Sequence, residues 1–465
     1  MKRILALFLG AALGFVATHS DGRQPVAPGT ASTDVVTPST PAGKQLAWFL
    51  DYLNGKAQLI DPAERFSETF LKQVPGEKLT AILASAKSTI FKDGAKLTAI
   101  KPGATDSNLV AIVQGGETLL EVSVGTDASG KMEGLLLKPA LPPKAILNSW
   151  TQFDEKLAAL PGQTNFAAYS VTTSSDGTFS LKPVHTVRPE LCLATGSTFK
   201  LYVLGTISEQ ILAGTAKWDE QIKVMDELKS LPGGVMQNEP AGKEFPLSEF
   251  AAKMISISDN TATDHLIHRA GRENIEKYAA GFNSCAARST PFMKTMEMFR
   301  IKLSPDKTLA TRFAAADEAG RRTLLAPGGE VSKSQPDITL AEKWTIPIEI
   351  ERVEWFSSAN DLCNAMLKLH GFELKPGMDE LKRVLRINGG IPFDKKIWPS
   401  VAYKGGSEPG VINLTWLLER NDGALFAVSI GWNDTKASVD TSIMVGLARG
   451  MTDLLAKEPI VNEQK

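Results

Sequence analysis

Cysteine and histidine are scarce in this 465-residue chain, which has three Cys and five His. An odd number of cysteines without framework spacing excludes a disulfide-built fold, because it allows at most one internal disulfide and leaves a thiol over. His265 and His268 stand three apart in a helical stretch, but no third His, Cys or acid follows at zincin spacing. They read as polar residues on a helix flank, so no metal and no cofactor is expected. Net charge is missing as well. Against 51 Lys and Arg stand 52 Asp and Glu, a formal charge of −1. That leaves no electrostatic case for a nucleic-acid partner or an anionic membrane surface. The apolar run from Ile4 to Val16 is too short to span a bilayer comfortably.

What is present is the composition of a soluble globular protein, 43% hydrophobic and 22% charged, at a length that suggests two or three domains. Lys2 and Arg3 precede the Ile4–Val16 run, and small and polar residues, ATHSDG, follow it. Residues 1–20 therefore read as a secretory signal, and the mature protein as periplasmic or secreted; a retained N-terminal anchor is the alternative. No integral span is expected once the signal is cleaved. Residues 21–44, rich in Pro, Thr, Ser and Gly, read as a flexible leader.

The predicted fold class is α+β multidomain. Residues 45–138 run from helical patterns (LAWFLDYLNG, ERFSETFLKQV, EKLTAILASAKSTI) to alternating strands (AKLTAIKP, NLVAIVQG, ETLLEVSVG, KMEGLLLKP), a small α+β domain. Residues 139–145 are a Pro-rich linker, and residues 458–465 a tail. The larger domain, 146–457, opens with a helix and two strands, continues through a helix-rich middle and ends in three strands and a helix. That order predicts an antiparallel sheet whose first and last strands pair, with helices packed beside it. Cys192 reads as a buried small apolar residue.

Ser197 and Lys200, in the stretch LATGSTFKLYVLGTI, fall one turn apart at the start of a predicted helix. A serine hydroxyl needs a neighbouring base before it attacks a carbonyl. Lysine serves only if its pKa falls from about 10.4 towards 7 or 8, which takes burial and a second cation nearby. The chain offers both a relay and a cation. Ser258-Asp259-Asn260 follows 61 residues after Ser197, ahead of another helix, and Lys404-Gly405-Gly406 lies on a late strand. Glycines there let a ligand approach the strand backbone.

Ser-x-x-Lys, Ser-Asp-Asn and Lys-Gly-Gly in that order resemble the penicillin-recognising serine enzymes, class A β-lactamases and D,D-peptidases. With the N-terminal α+β domain, the chain is similar to the two-domain serine hydrolases of clavulanic acid gene clusters and to cephalosporin 3′-acetyl esterases. In those relatives the first domain resembles steroid isomerases and cyclases. The resemblance implies Ser197 as nucleophile, Lys200 as its base, Ser258 as proton relay and Lys404 as the cation beside it. It implies that Asn260 binds substrate and Lys200, that Gly406 and Ser407 also bind substrate, and that the backbone N–H groups of Ser197 and Ser407 form an oxyanion hole.

Two departures bear on function. No Glu-x-x-Leu-Asn follows Ser-Asp-Asn, since Glu297 lacks the Leu-Asn, so the residue that clears the acyl-enzyme in class A enzymes is missing. Gly405 stands where that family has a hydroxyl that binds the substrate carboxylate, and Ser407 is the candidate substitute. Tyr403 and Glu408 flank the motif as candidate substrate contacts, while Trp355 and Phe356 read as core. The expected activity is that of a monomeric serine hydrolase acting on a small ester or amide, with β-lactams and cephalosporin esters as candidates. The alternatives are a class A-type β-lactamase, a D,D-peptidase and a non-hydrolysing protein that binds β-lactams or peptidoglycan fragments.

Overall fold

The computed structural model describes residues 35–92, 94–115, 118–142, 144–230, 233–337 and 344–459. The expected secretory signal, residues 1–20, and the first part of the expected leader lie outside the described residues. Two compact units follow one another, the second beginning at Lys144.

In the first unit, helix α1 is Pro41–Leu53. Composition carries the leader to residue 44, but Thr40 starts a helix sooner. Its Oγ1 accepts the Gly43 N–H at 3.2 Å, and Pro41 fills the first helical position, where a missing N–H costs nothing. The pattern ERFSETFLKQV, expected as one helix, splits into α2 (Pro62–Arg65) and α3 (Glu68–Gln73). Between them buried Phe66 leaves the helix to meet Trp48 edge-on, and Ser67 caps α3 through the Phe70 N–H. Helix α4 is Gly76–Thr89. Strands β1 (Lys96–Ile100), β2 (Asn108–Gly115), β3 (Thr118–Thr126) and β4 (Met132–Pro139) form an antiparallel meander. Period-two alternation turns Leu109, Ala111 and Val113 of β2 to one covered face, where Leu46, Phe49 and Leu53 of α1 complete the core.

The second unit opens with α5 (Trp150–Ala158), β5 (Gln163–Thr173), β6 (Phe179–Val187) and β7 (Leu193–Ala194). It continues with α6 (Lys200–Leu212), β8 (Gln221–Lys223), β9 (Glu244–Pro246), α7 (Leu247–Ser256), α8 (Asn260–Ala270), α9 (Arg272–Ala280), α10 (Thr295–Lys302) and β10 (Phe356–Ser357). The last strands are β11 (Ser400–Glu408), β12 (Val411–Glu419) and β13 (Leu425–Asn433). They form an antiparallel sheet in the order β11-β12-β13-β5-β6. β5 and β13 pair from Gln163 opposite Asn433 to Val171 opposite Leu425, so the chain's early and late strands do join.

Both faces of this sheet are covered. Phe166, Trp416 and Ile430 pack with α5 and the closing helix Thr441–Leu455, while Ala167, Leu417 and Ala427 face the helical block. Interior strand β12 is therefore buried from Val411 to Leu418, apolar on one side and carrying the hydrogen-bonded pair Asn413 and Thr415 on the other. β11 is an edge strand, and its free edge borders the turn that leads into α6.

One expectation is corrected. Cys192 is not a lone buried residue but is disulfide-bonded to Cys285, 93 positions away, with a Cα–Cα distance of 5.9 Å. No local spacing encodes a partner so distant. Cys363 is the buried free thiol.

Candidate active site

Ser197 sits in a 3₁₀ turn, Gly196–Phe199, that runs directly into α6. Two glycines bring this turn against β11. A Cβ on Gly196, whose φ is +48°, would lie 2.8 Å from the Ser407 nitrogen. A Cβ on Gly406 would lie 2.2 Å from the Ser197 nitrogen and 2.3 Å from the Thr195 carbonyl oxygen. Only residues without side chains allow two backbones to approach this closely. The backbone nitrogens of Ser197 and Ser407 thereby border the same contact.

Period two along β11 sends Lys404, Gly406 and Glu408 to one face. Lys404 donates to Ser258 Oγ at 3.0 Å and to its neighbour's Gly405 carbonyl. Lys200 donates to the same Ser258 Oγ at 3.0 Å, to the Ser258 carbonyl at 2.7 Å and to Asn260 Oδ1 at 2.8 Å. One hydroxyl thus joins two lysines. Its placement relies on unusual backbone: Ser258 has φ +58°, a left-handed conformation that costs a non-glycine residue ~1–3 kcal/mol. That twist at the α7–α8 junction points both Ser258 oxygens at Lys200.

Both amines are buried. Burial lowers Lys200 from 10.5 to about 7, with Asp259 and Asp264 pulling the other way. Lys404 is pushed well below its ordinary value by burial and by the charge of Lys200. Two amines this close in a dry site disfavour a second proton. Asp259 and Asp264 temper the fall at Lys200, while the charge of Lys200 deepens it at Lys404.

Residues beyond the motifs fix this arrangement. Asp259 is fully buried; its carboxylate caps α8 through the Ala262 N–H at 2.8 Å and accepts the N–H groups of Val235 and Met236 at 2.6 and 2.9 Å. Gly234 makes this wrapping possible, because a Cβ there would fall 2.3 Å from the Asp259 carboxyl carbon. Asp264 accepts from the Thr295 N–H at 2.6 Å, the Thr295 hydroxyl at 2.8 Å and the Met296 N–H at 3.0 Å, which anchors the start of α10. Burial raises its pKa to about 6. Sequence reading missed Asp264 and Thr295, although Asp264 lies four residues after Asn260, on the same helix face.

Glu297 is fully engaged: Oε1 accepts from Arg272 at 2.6 Å and Oε2 from the Lys294 N–H at 2.7 Å. Trp355 and Phe356 are core residues; Trp355 stacks on Phe199 at 3.8 Å, and its carbonyl accepts the Thr195 N–H at 2.9 Å. Among the described residues no group of three or more His, Cys, Asp or Glu could hold a metal ion.

Glu408 turns out to face inwards. Lys302 donates to Glu354 at 2.9 Å and to Glu408 at 2.5 Å, all three side chains being nearly free of solvent. One cation between two carboxylates leaves an excess negative charge, and burial, reinforced by Glu354, pushes the Glu408 carboxyl well above its ordinary value. Lys302→Met is expected to cost ~3–5 kcal/mol at neutral pH, because it leaves buried carboxylates unpaired. Denaturant midpoints measured against pH check this. The loss should shrink as the pH falls, since an acid whose folded pKa is raised favours the folded state when protonated. A loss independent of pH would contradict it.

Comparison with known proteins places the chain in a family. The model of the beta-lactamase enzyme family matches residues 152–430, and that of the ORF 12 gene product N-terminal region matches residues 37–132. No curated protein matches the chain. Among solved structures, PBP-A is 17% identical, with 69% of this chain and 100% of that chain covered and a TM-score of 0.43. The β-lactamase of Chitinophaga pinensis is 17% identical, over 67% of this chain and 98% of that one, with a TM-score of 0.44. The β-lactamase of Francisella tularensis is 13% identical, over 66% and 99%, with a TM-score of 0.43. Since the first match spans more than half of the chain and takes in Ser197, Lys200, Ser258 and Lys404, the chain belongs to the beta-lactamase enzyme family, with a separate N-terminal domain before that fold.

Proposed function

We propose that the protein is an exported serine hydrolase that forms an acyl-enzyme at Ser197 with a small ester or amide, β-lactams and cephalosporin 3′-esters being the candidate substrates. The observation that carries this reading is the single hydroxyl, Ser258 Oγ, held at 3.0 Å by both Lys200 and Lys404. Neutral Lys200 takes the proton of Ser197 Oγ as that oxygen bonds to the carbonyl carbon. The resulting oxyanion lies against the N–H groups of Ser197 and Ser407, worth roughly 3–4 kcal/mol per donor. The proton then crosses Ser258 Oγ, with Lys404 beside it, to the leaving oxygen or nitrogen as the carbonyl re-forms. Water later releases the acyl group. Asn260 holds Lys200 and takes a polar group of the substrate.

A second reading has its own support. Glu297 is committed to Arg272 and to a helix start, so it is not free to activate water. Slow deacylation, with a β-lactam trapped on Ser197, follows if nothing replaces it. Export rests on the Lys2–Val16 pattern and on the Cys192–Cys285 disulfide, a bond at home in oxidising compartments.

Intact mass followed over time with a penicillin, and separately with a 3′-acetoxy cephalosporin, tests the reading. The expected result is an adduct on the native protein that Ser197→Ala lacks. Acetate release without a lasting adduct would mark an esterase using the same serine. No adduct and no turnover with either compound would refute the β-lactam assignment.

A further inference from the structure

The turn that carries Ser197 and the strand that carries Ser407 meet through bare backbone. Among the described residues no backbone hydrogen bond joins Gly196 or Ser197 to Gly406 or Ser407, and the glycines that meet there have no side chains to interlock. Something else has to fix how far β11 stands from that turn. Lys302, the last residue of α10, is placed to do so. Its amine donates to Glu408 Oε1 at 2.5 Å and to Glu354 Oε1 at 2.9 Å, in surroundings almost free of water. Each carboxyl leads to one side of the contact. Glu408 directly follows Ser407 and ends β11. Glu354 Oε2 accepts the Trp355 N–H at 3.2 Å. The Trp355 carbonyl in turn accepts the Thr195 N–H at 2.9 Å and the Thr195 hydroxyl at 3.0 Å, and the Trp355 ring stacks on Phe199. Thr195 and Phe199 bracket Ser197, so one continuous path runs from residue 408 through Lys302, Glu354 and Trp355 to both ends of the nucleophile's turn.

We propose that Glu408 is a positioning residue, whose bridge through Lys302 to Glu354 holds the Ser407 N–H at a fixed distance from the Ser197 N–H. The inference rests on the serine hydrolase reading above and deepens it, by naming what keeps the oxyanion site in shape. A buried bridge suits the task. Hydrogen bonds from an ammonium group are short and directional, and in a dry site no water competes for them. Glu408 supplies a link more than a charge. Burial and Glu354 push its carboxyl well above the ordinary value, so at neutral pH it is the protonated member, and the trio holds one positive and one negative charge. The link can therefore be cut at residue 408 without unbalancing the buried charges.

Two exchanges at that position separate link from charge. Glu408→Met removes the link and leaves Lys302 paired one to one with Glu354. Glu408→Gln keeps an acceptor for Lys302 in place of the protonated acid. Acylation by a penicillin is followed by intact mass at increasing concentration. Glu408→Met should lower the limiting rate by about 10- to 100-fold with half-saturation within about threefold of native, while Glu408→Gln should stay close to the native rate. Glu354→Met cuts the same path at its other end and should lose as much, which keeps the test readable if one variant does not fold. In the ligand-free protein, the amide NMR resonances of Gly196 and Ser197 should shift or broaden in both methionine variants and stay in place in Glu408→Gln. These resonances decide alone if the native protein takes no acyl group, a result that would sink the Ser197 reading instead. A native limiting rate in Glu408→Met, an equal loss in Glu408→Gln, or undisturbed Gly196 and Ser197 resonances in the methionine variants would each overturn the proposal.

Discussion

Replacing Lys200 with methionine is expected to slow acylation of Ser197 by ~10²–10⁴-fold, the range for loss of a general base, and at the same time to raise the stability of the fold. The two effects have one cause. Lys200 is fully buried, and its pKa falls from 10.5 to about 7. At 1.36 kcal/mol per unit, holding this amine in the folded protein at pH 7 costs ~4 kcal/mol relative to the unfolded chain. Methionine fills a similar volume without that cost, but it removes the bonds that Lys200 donates to Asn260 Oδ1 and to the two Ser258 oxygens, a loss of ~1–3 kcal/mol. The net gain at pH 7 is therefore about 1–3 kcal/mol.

The sign of the pH dependence follows from which state binds the proton. Between about 7 and 10.5 the unfolded chain carries more protons than the folded one, so native stability rises with pH across that window. The advantage of the methionine variant should be greatest at pH 7 and below and should reverse by pH 10, where the lost hydrogen bonds outweigh the burial cost that remains. Denaturant unfolding of both proteins at several pH values checks this; a variant less stable than the native protein at pH 7 would mean that the Lys200 hydrogen bonds outweigh its burial. Activity supplies a second check. A base works unprotonated, so acylation by the native protein should climb with pH through a midpoint near 7, and that step should be missing in the variant.

How much of this was legible in the sequence depends on how far apart the interacting residues stand. Ser197 and Lys200 are one helical turn apart, Ser258 and Asn260 flank one helix start, and Lys404 and Gly406 alternate on one strand, so short-range periodicity sufficed to group them. The strands of the first domain were legible for the same reason. The partners that finish the site are long-range. Thr295 meets Asp264 from 31 positions away, and Lys302 meets Glu408 from 106. A lone lysine and a glutamate near a motif carry no mark that folding will bury them together. Cys192 and Cys285 are equally silent until the strand pair β7–β10 closes beside them. Tyr403 shows a subtler loss: nothing local announces that Gly390 and Gly405 both make room for its ring.

Gly406→Ala should lower the acylation rate by ~10²–10³-fold, as for loss of one oxyanion donor, while leaving equilibrium binding of substrate in a Ser197→Ala background far less affected. The atoms around the added methyl decide this. It would lie 2.2 Å from the Ser197 nitrogen, 2.3 Å from the Thr195 oxygen and 2.5 Å from the Thr198 nitrogen. All three belong to backbone, so no rotamer change relieves the clash, and either β11 or the turn before α6 has to move. In the proposed mechanism each carries an N–H that meets the oxyanion, and separating them removes a contact that matters most once negative charge has developed on the substrate oxygen. Overpacking of this kind also costs ~1–3 kcal/mol of stability. Gly405→Ala makes the informative comparison. Its methyl meets the Tyr403 hydroxyl first, the far end of a side chain, so Tyr403 can swing away and both backbone N–H groups stay in place. Acylation by a neutral ester substrate should then remain near the native rate in Gly405→Ala and collapse in Gly406→Ala. Equal rates in the two variants would show that the contact between β11 and the Ser197 turn supports the fold without shaping the oxyanion site.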